Sequence, residues 1–356
     1  MPATAPHPDP TGRIASPSPE PRAGGHAMRG HVLAVSLGLT ALLCVLVVAF
    51  AWPATQLAPR SLPIVVAGPA EASAQIGAAL DKAAPGGFAV TVVPDEAAAR
   101  SAIERRDAYG AIVLGPTPSV LTASAASPVV AQLLTQMATT LEARQGGAAA
   151  PAVRVVDVVP LPATDPRGVG LAALALPLVI GGLIVGAAFT TAIVGVGRRV
   201  LGVVLTAVLA GLALTGIAHS WLGVLDGGWW AEAGVIALGI AAVGLTLVGL
   251  GALLGFVGLG LGAAVFMLIG NPFSGMTSAP EMLPDGWSTL GQWLPPGAAG
   301  TLLRSVSFFD GAGGALSLWI LAGWVVLGLL LGALGSRIHR VRGDGRLDAA
   351  AQPVPA

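Results

Sequence analysis

The chain has 356 residues, of which 10% are charged and 54% hydrophobic, and its mean hydropathy is +0.80. Ordinary soluble domains carry about 25% charged residues, so water cannot solvate a surface this large, and lipid is the natural solvent for most of the chain. Eighteen basic residues balance eighteen acidic ones, which leaves no global field to attract nucleic acid and excludes it as a partner.

Residues 1–30 are Pro-rich and poor in apolar side chains, the composition of a disordered tail. His31–Trp52 follows without a single charge. As a helix it rises about 33 Å, enough to cross a bilayer. Ala49-Phe50-Ala51 mimics a signal-peptidase site, but the apolar run is long and its basic flank is Arg29 alone. Those features favour an uncleaved first transmembrane helix over residues 31–52. Cys44, the only cysteine, lies inside it. One thiol excludes an intrachain disulfide and a Cys-based metal site.

Residues 53–168 differ in kind, holding 17 of the 36 charged residues in short periodic segments. Leu62–Ala67, Phe88–Val93, Tyr109–Leu114, Ser119–Ser124 and Val153–Val158 read as strands. Ala70–Lys82, Glu96–Asp107 and Val129–Arg144 read as helices. Asp95 is placed to N-cap the second of these, and Arg105 and Arg106 to complement the dipole of its last turn. The order β-α-β-α-β-β-α-β predicts a small α/β domain with a core of its own.

Lipid-type sequence resumes at residue 169 and runs to 335. Val169–Val196 contains Pro177, Arg198 and Arg199 form a tight turn, and Val200–Ala218 is the next span. His219–Trp230 is a short loop with three Trp, an interfacial signature. From Ala233 through Pro280 there is no charged residue. The apolar part, Ala233–Gly270, would rise about 57 Å as one helix, nearly two membrane thicknesses. It is expected to divide near Gly249–Gly255, either into two full spans or into a re-entrant hairpin. Residues 271–314 read as an outer interfacial loop, Ala315–Leu334 as the last span, and 336–356 as a basic tail. The expected fold is therefore an α-helical polytopic membrane protein of about six transmembrane helices with an inserted extracytoplasmic α/β domain.

Charge orients this layout. With both termini cytoplasmic, the inner face carries nine Arg (Arg13, Arg22, Arg29, Arg198, Arg199, Arg337, Arg340, Arg342 and Arg346) against four acidic residues. The outer face carries nine basic against fourteen acidic residues. The decisive clusters are Arg198/Arg199 and Arg337–Arg346, which flank span ends, where the positive-inside rule applies.

Little catalytic chemistry is visible. Lys82, the only Lys, is followed by Ala83 without the glycines of a phosphate-binding loop. No H-E-x-x-H or G-x-S-x-G occurs, and the five His never cluster in sequence. The chain is therefore read as a non-enzyme that holds no cofactor of its own. His219, Asp226 and Glu232 flank the outer ends of two spans and are candidates for a polar outer mouth, or else solvated loop residues. Arg198 and Arg199 are candidates for docking a cytoplasmic partner, or topology determinants alone. Gly182/Gly186, Gly251/Gly255, Gly258/Gly262 and Gly328/Gly332 are small-xxx-small pairs that permit close helix approach.

Two stretches carry a family resemblance. Asp95–Leu114, DEAAARSAIERRDAYGAIVL, is similar to the helix-then-strand unit in the external domains of type-2 ABC exporter permeases and of the related phage-infection-protein-like permeases. Asn271–Gly311, NPFSGMTSAPEMLPDGWSTLGQWLPPGAAGTLLRSVSFFDG, resembles the outer segment before their last span. The resemblance implies a permease subunit in the bacterial plasma membrane. It would pair with a second permease copy and a separate ATPase subunit, which binds the ATP, to export a substrate. The alternative reading is a non-transporting envelope protein whose external domain binds a cell-wall component, a phage or a partner protein.

Overall fold

The computed structural model describes residues 24–115, 117–144 and 153–350. Most of the segment read as a disordered tail, up to residue 23, lies outside the described residues, as do the last six. The chain divides into two compact units, residues 1–48 and 49–356. The first contains the greater part of helix α1 (Gly24–Thr55).

In the second unit, five strands form one mixed sheet in the order β2-β1-β3-β4-β5. They are β1 (Leu62–Ala67), β2 (Phe88–Val93), β3 (Gly110–Val113), β4 (Ser119–Thr122) and β5 (Arg154–Asp157). β1 pairs parallel with β2 and β3, β3 antiparallel with β4, and β4 parallel with β5. The central strand β1 reads LPIVVA, the near-continuous apolar run of a strand covered on both faces. Its residues alternate between two cores. Val65 and Ala67 join Ala99, Ala102 and Ile103 of α3 (Glu96–Glu104). Leu62, Ile64 and Val66 join Leu80 of α2 (Ala70–Ala83) and Val130 and Leu134 of α4 (Pro128–Arg144).

Asp95 caps α3 as expected, its carboxylate accepting from the Ala98 amide at 2.8 Å. Arg106 departs from expectation. The helix ends at Glu104, and Arg106 turns out of it with φ 62°. Its guanidinium leaves the helix terminus for another part of the molecule.

The apolar helices follow as α5 (Val169–Ala192), α6 (Val196–Thr215), α7 (Trp229–Leu254), α8 (Phe256–Ala264) and α11 (Ala315–Ala350). Among the described residues, five helices are long and apolar enough to cross a membrane: Gly30–Thr55, Val169–Ala192, Val196–Trp221, Trp229–Leu254 and Ala315–His339. The chain is a membrane-associated protein on that ground. α7 is the hub of the bundle, with most of its residues from Ala233 to Ala252 buried. The other bundle helices pack around it.

The uncharged stretch breaks at Gly255, whose φ of 64° admits glycine and strains other residues. α8 then runs back along α7: Gly251 lies against Leu259, and Gly262 against Leu250 and Leu247. A π-helical segment, Val265–Gly270, extends α8 and sets Phe266 beside Val243 and Leu247. These nine and six residues rise roughly 20 Å, short of a bilayer core of about 30 Å.

The stretch 271–314, read from sequence as an outer loop, is largely helical. It holds a 3-10 turn (Pro280–Met282), α9 (Trp287–Trp293) and α10 (Pro295–Phe308). Ten of the fourteen α10 residues are buried. The Pro295-Pro296 pair read as loop punctuation, but proline in the first helical turn costs nothing, because those amides have no intrahelical partner. α10 packs along α7 from Gly239, next to Ala299, and on to Gly227 in the loop just before α7, next to Val306 and Ser307. α8 and α10 thus follow one another up α7 in the same direction, as two halves of an interrupted helix.

Candidate functional site

The interruption is where the sheet domain meets the bundle. After α1 the chain pairs with the 3-10 turn: the Ala58 amide donates to the Met282 carbonyl at 3.1 Å and the Arg60 amide to the Glu281 carbonyl at 2.9 Å. Arg60 Nη1 adds a bond to the same Met282 carbonyl at 2.9 Å. Glu281 is thereby held facing β3. Tyr109, at the entry to β3, donates its hydroxyl to Glu281 Oε2 at 2.7 Å.

Arg106 reaches α10 from the other side. Its Nη1 donates to the Thr301 carbonyl at 3.1 Å and to Ser305 Oγ at 2.6 Å. Its guanidinium stands 5.2 Å from the centroid of the Phe309 ring, within cation–π range. Its stem packs on Gly313, in the turn between α10 and α11. One turn of α10 away, Arg304 is 3% exposed and donates Nη2 to the Met276 carbonyl at 2.9 Å. Gln292 of α9 ties the interruption together, donating to the Ser274 carbonyl and accepting from Thr301 Oγ1.

Arg106, Tyr109, Glu281, Gln292, Thr301 and Ser317 help line a cavity of about 250 Å³, and Arg304 stands outside its lining. Burial, and then the neighbouring Glu281, raise the Tyr109 pKa well above its ordinary value. Burial also lowers that of Arg106, against the opposing pull of Tyr109 and Glu281. The charged groups that line the cavity are one guanidinium, Arg106, and one carboxylate, Glu281. Among the described residues no group of three or more His, Cys, Asp or Glu converges as a metal site would require.

The residues singled out from sequence lie elsewhere. Two of the three outer-mouth candidates meet. His219 sits in a π-helical turn, Gly216–Trp221, at the end of α6, and its Nδ1 lies 2.8 Å from Glu232 Oε2. Glu232, in the first turn of α7, is fully buried and also accepts from the Gly227 amide at 2.9 Å. Asp226 is exposed on the connecting loop. Arg198 is exposed in the first turn of α6. Arg199 folds back, donating Nε to the Ile193 carbonyl at 2.7 Å, and so satisfies the C-terminal end of α5. Arg199 also lines an open cavity of about 860 Å³ with Ser336 and His339.

The junction cluster was not anticipated. Tyr109 and Glu281 are 172 positions apart, and Arg106 and Ser305 are 199 apart. The available signal was Arg304, the one charge between Asp285 and Asp310. A search against family models, curated proteins and solved structures finds no match to this chain.

Proposed function

We propose that the chain is the permease subunit of a type-2 ABC-like exporter in a bacterial plasma membrane. Both termini are cytoplasmic, the sheet domain is outside, and the substrate moves outward with energy from a separate ATPase chain. A second permease copy completes the pathway. The observation that carries this reading is the interrupted helix α8–α10 beside α7. Backbone that leaves helical geometry at membrane depth is tolerated only where protein buries it or where it lines a cavity, and such breaks recur at transport sites. Here the break from Asn271 to Ser278 lines a cavity of about 520 Å³ together with Pro177 of α5 and Pro53 of α1. The sheet domain is hydrogen-bonded to the chain that follows the break, through Tyr109 to Glu281 and through Arg106 to α10. A shift of α10 would therefore be felt outside.

Purification from native membranes through a C-terminal tag tests the reading. Mass spectrometry is expected to find a co-purifying chain that carries a phosphate-binding loop. Intact, monodisperse protein recovered under mild detergent with no ATPase chain would overturn it.

A further inference from the structure

The cavity at the break combines three properties. First, among the described residues no charged side chain lines it. Second, two acceptors in its lining lack a donor. Pro177 has no amide, so the Ala173 carbonyl, one turn earlier in α5, is without its usual helical donor. Asn271, which closes the π-helical segment after α8, has a buried Oδ1 with no hydrogen-bond partner among the described residues. The neighbouring hydroxyls of Ser274 and Ser278 do not serve these acceptors, since they donate to the Asn271 and Ala279 carbonyls. A buried acceptor left unpaired is costly. Third, the remaining wall is apolar, with Phe50, Leu57, Leu176, Met276 and Leu283. Leu57 and Leu176 are exposed, so the cavity sits at the surface of the bundle.

We propose that this cavity binds an uncharged amphipathic molecule that donates a hydrogen bond and is drawn from the adjoining lipid leaflet. Its volume, about 520 Å³, lies within the usual range of small-molecule sites, about 300–1,000 Å³. A hydroxyl or amide on the ligand supplies the donor that Asn271 Oδ1 lacks, and the apolar wall takes the hydrocarbon part. A charged headgroup is disfavoured, because the lining offers no counter-charge. The level also fits an amphipath. Trp52, at the end of α1, meets Trp287 and Phe273 edge-on with ring centroids 6.1 Å apart, and tryptophans of this kind mark the membrane–water interface. Naming this ligand class as the exported substrate rests on the export reading, whereas binding itself does not.

The test uses the full chain in phosphatidylcholine nanodiscs and three photoactivatable probes that share one acyl chain with a diazirine. They are a monoacylglycerol with free hydroxyls, its dimethyl ether, and its phosphate ester. Peptide mass spectrometry reads the labelling of residues 172–177 and 271–278. The hydroxyl probe is expected to half-saturate at about one-tenth the concentration of the ether, the worth of one hydrogen bond to a buried acceptor. Asn271→Leu should abolish that preference. If this variant fails to fold, the hydroxyl and ether probes on the unaltered chain decide alone. No labelling of these segments, equal labelling by hydroxyl and ether, equal labelling by the phosphate ester, or a preference that survives Asn271→Leu would overturn the proposal. Failure here with an ATPase chain still co-purifying would strike the ligand alone. Selective labelling with no ATPase chain would uphold the site and strike export.

Discussion

His219 and Glu232, thirteen positions apart, join the end of α6 to the start of α7, Nδ1 to Oε2 at 2.8 Å. The carboxylate is fully buried, and its other oxygen takes the Gly227 amide. His219→Ala leaves that buried group with one partner instead of two. The expected cost is about 1–3 kcal/mol. Glu232→Gln keeps the volume and an acceptor for Gly227, so its cost is smaller. Equilibrium unfolding in mixed micelles orders the two variants. A His219→Ala protein as stable as the parent would show that the pair contributes nothing.

Close approach of α7 and α11 rests on particular glycines. A Cβ at Gly328 would fall 2.6 Å from the Thr246 nitrogen, and one at Gly335 would fall 2.6 Å from the Ala252 carbonyl oxygen. At Gly323, on the same helix, a Cβ meets nothing within 4 Å. Gly328→Ala is expected to cost about 1–3 kcal/mol by forcing the backbones apart. Gly323→Ala is expected to be neutral or to stabilise by up to about 1 kcal/mol, because alanine restricts the unfolded chain and favours helix. Equal effects at the two positions would refute the packing described for α11.

The sequence was informative wherever short-range periodicity or composition decides structure. All five strands and the three helices of the sheet domain lie within a few residues of their expected positions, because apolar alternation and the Asp95 cap are local signals. The break at Gly255 fell at the edge of the expected turn region for the same reason. α10 was hidden, because its proline pair looks like a loop until its burial against α7 is known. The Arg106 direction was hidden too. Its helix could have ended with the cation at the dipole, but the positive φ and the partners on α10 are set by contacts nearly two hundred positions away. Of the polar residues singled out beforehand, His219 and Glu232 come together because the π-helical turn brings the two helix ends close.

Tyr109 is the only tyrosine in the chain, so its ionisation can be observed without assignment. Burial and Glu281 raise its pKa in the folded protein. The unfolded chain releases the phenolic proton near pH 10, while the folded chain retains it. Stability from this group is complete below about pH 10 and declines as the pH rises further, since only the unfolded state then gains by losing the proton. At about pH 11 the native protein should show no phenolate absorbance, and denaturant-unfolded protein should show it fully. Tyr109→Phe should flatten the alkaline loss of stability. A phenolate signal in native protein near pH 10 would place Tyr109 in water instead of against Glu281.

Sidedness follows from the proposed topology and can be read residue by residue. The native thiol, Cys44, is first removed by Cys44→Ser, leaving a background without cysteine. Single variants Ser101→Cys in α3, Asp226→Cys between α6 and α7, and Ser336→Cys near the end of the last apolar helix then report three positions. An impermeant maleimide applied to intact cells should label the first two and leave the third untouched until the membrane is opened. This pattern follows because Arg198/Arg199 and Arg337 retain their flanks inside. It also requires that α7 and the interrupted pair α8–α10 together make one round trip. Labelling of Ser336→Cys from outside would mean that the α8–α10 return does not cross the bilayer. The C-terminal basic cluster would then lie outside, and the proposed exporter orientation would fail with it.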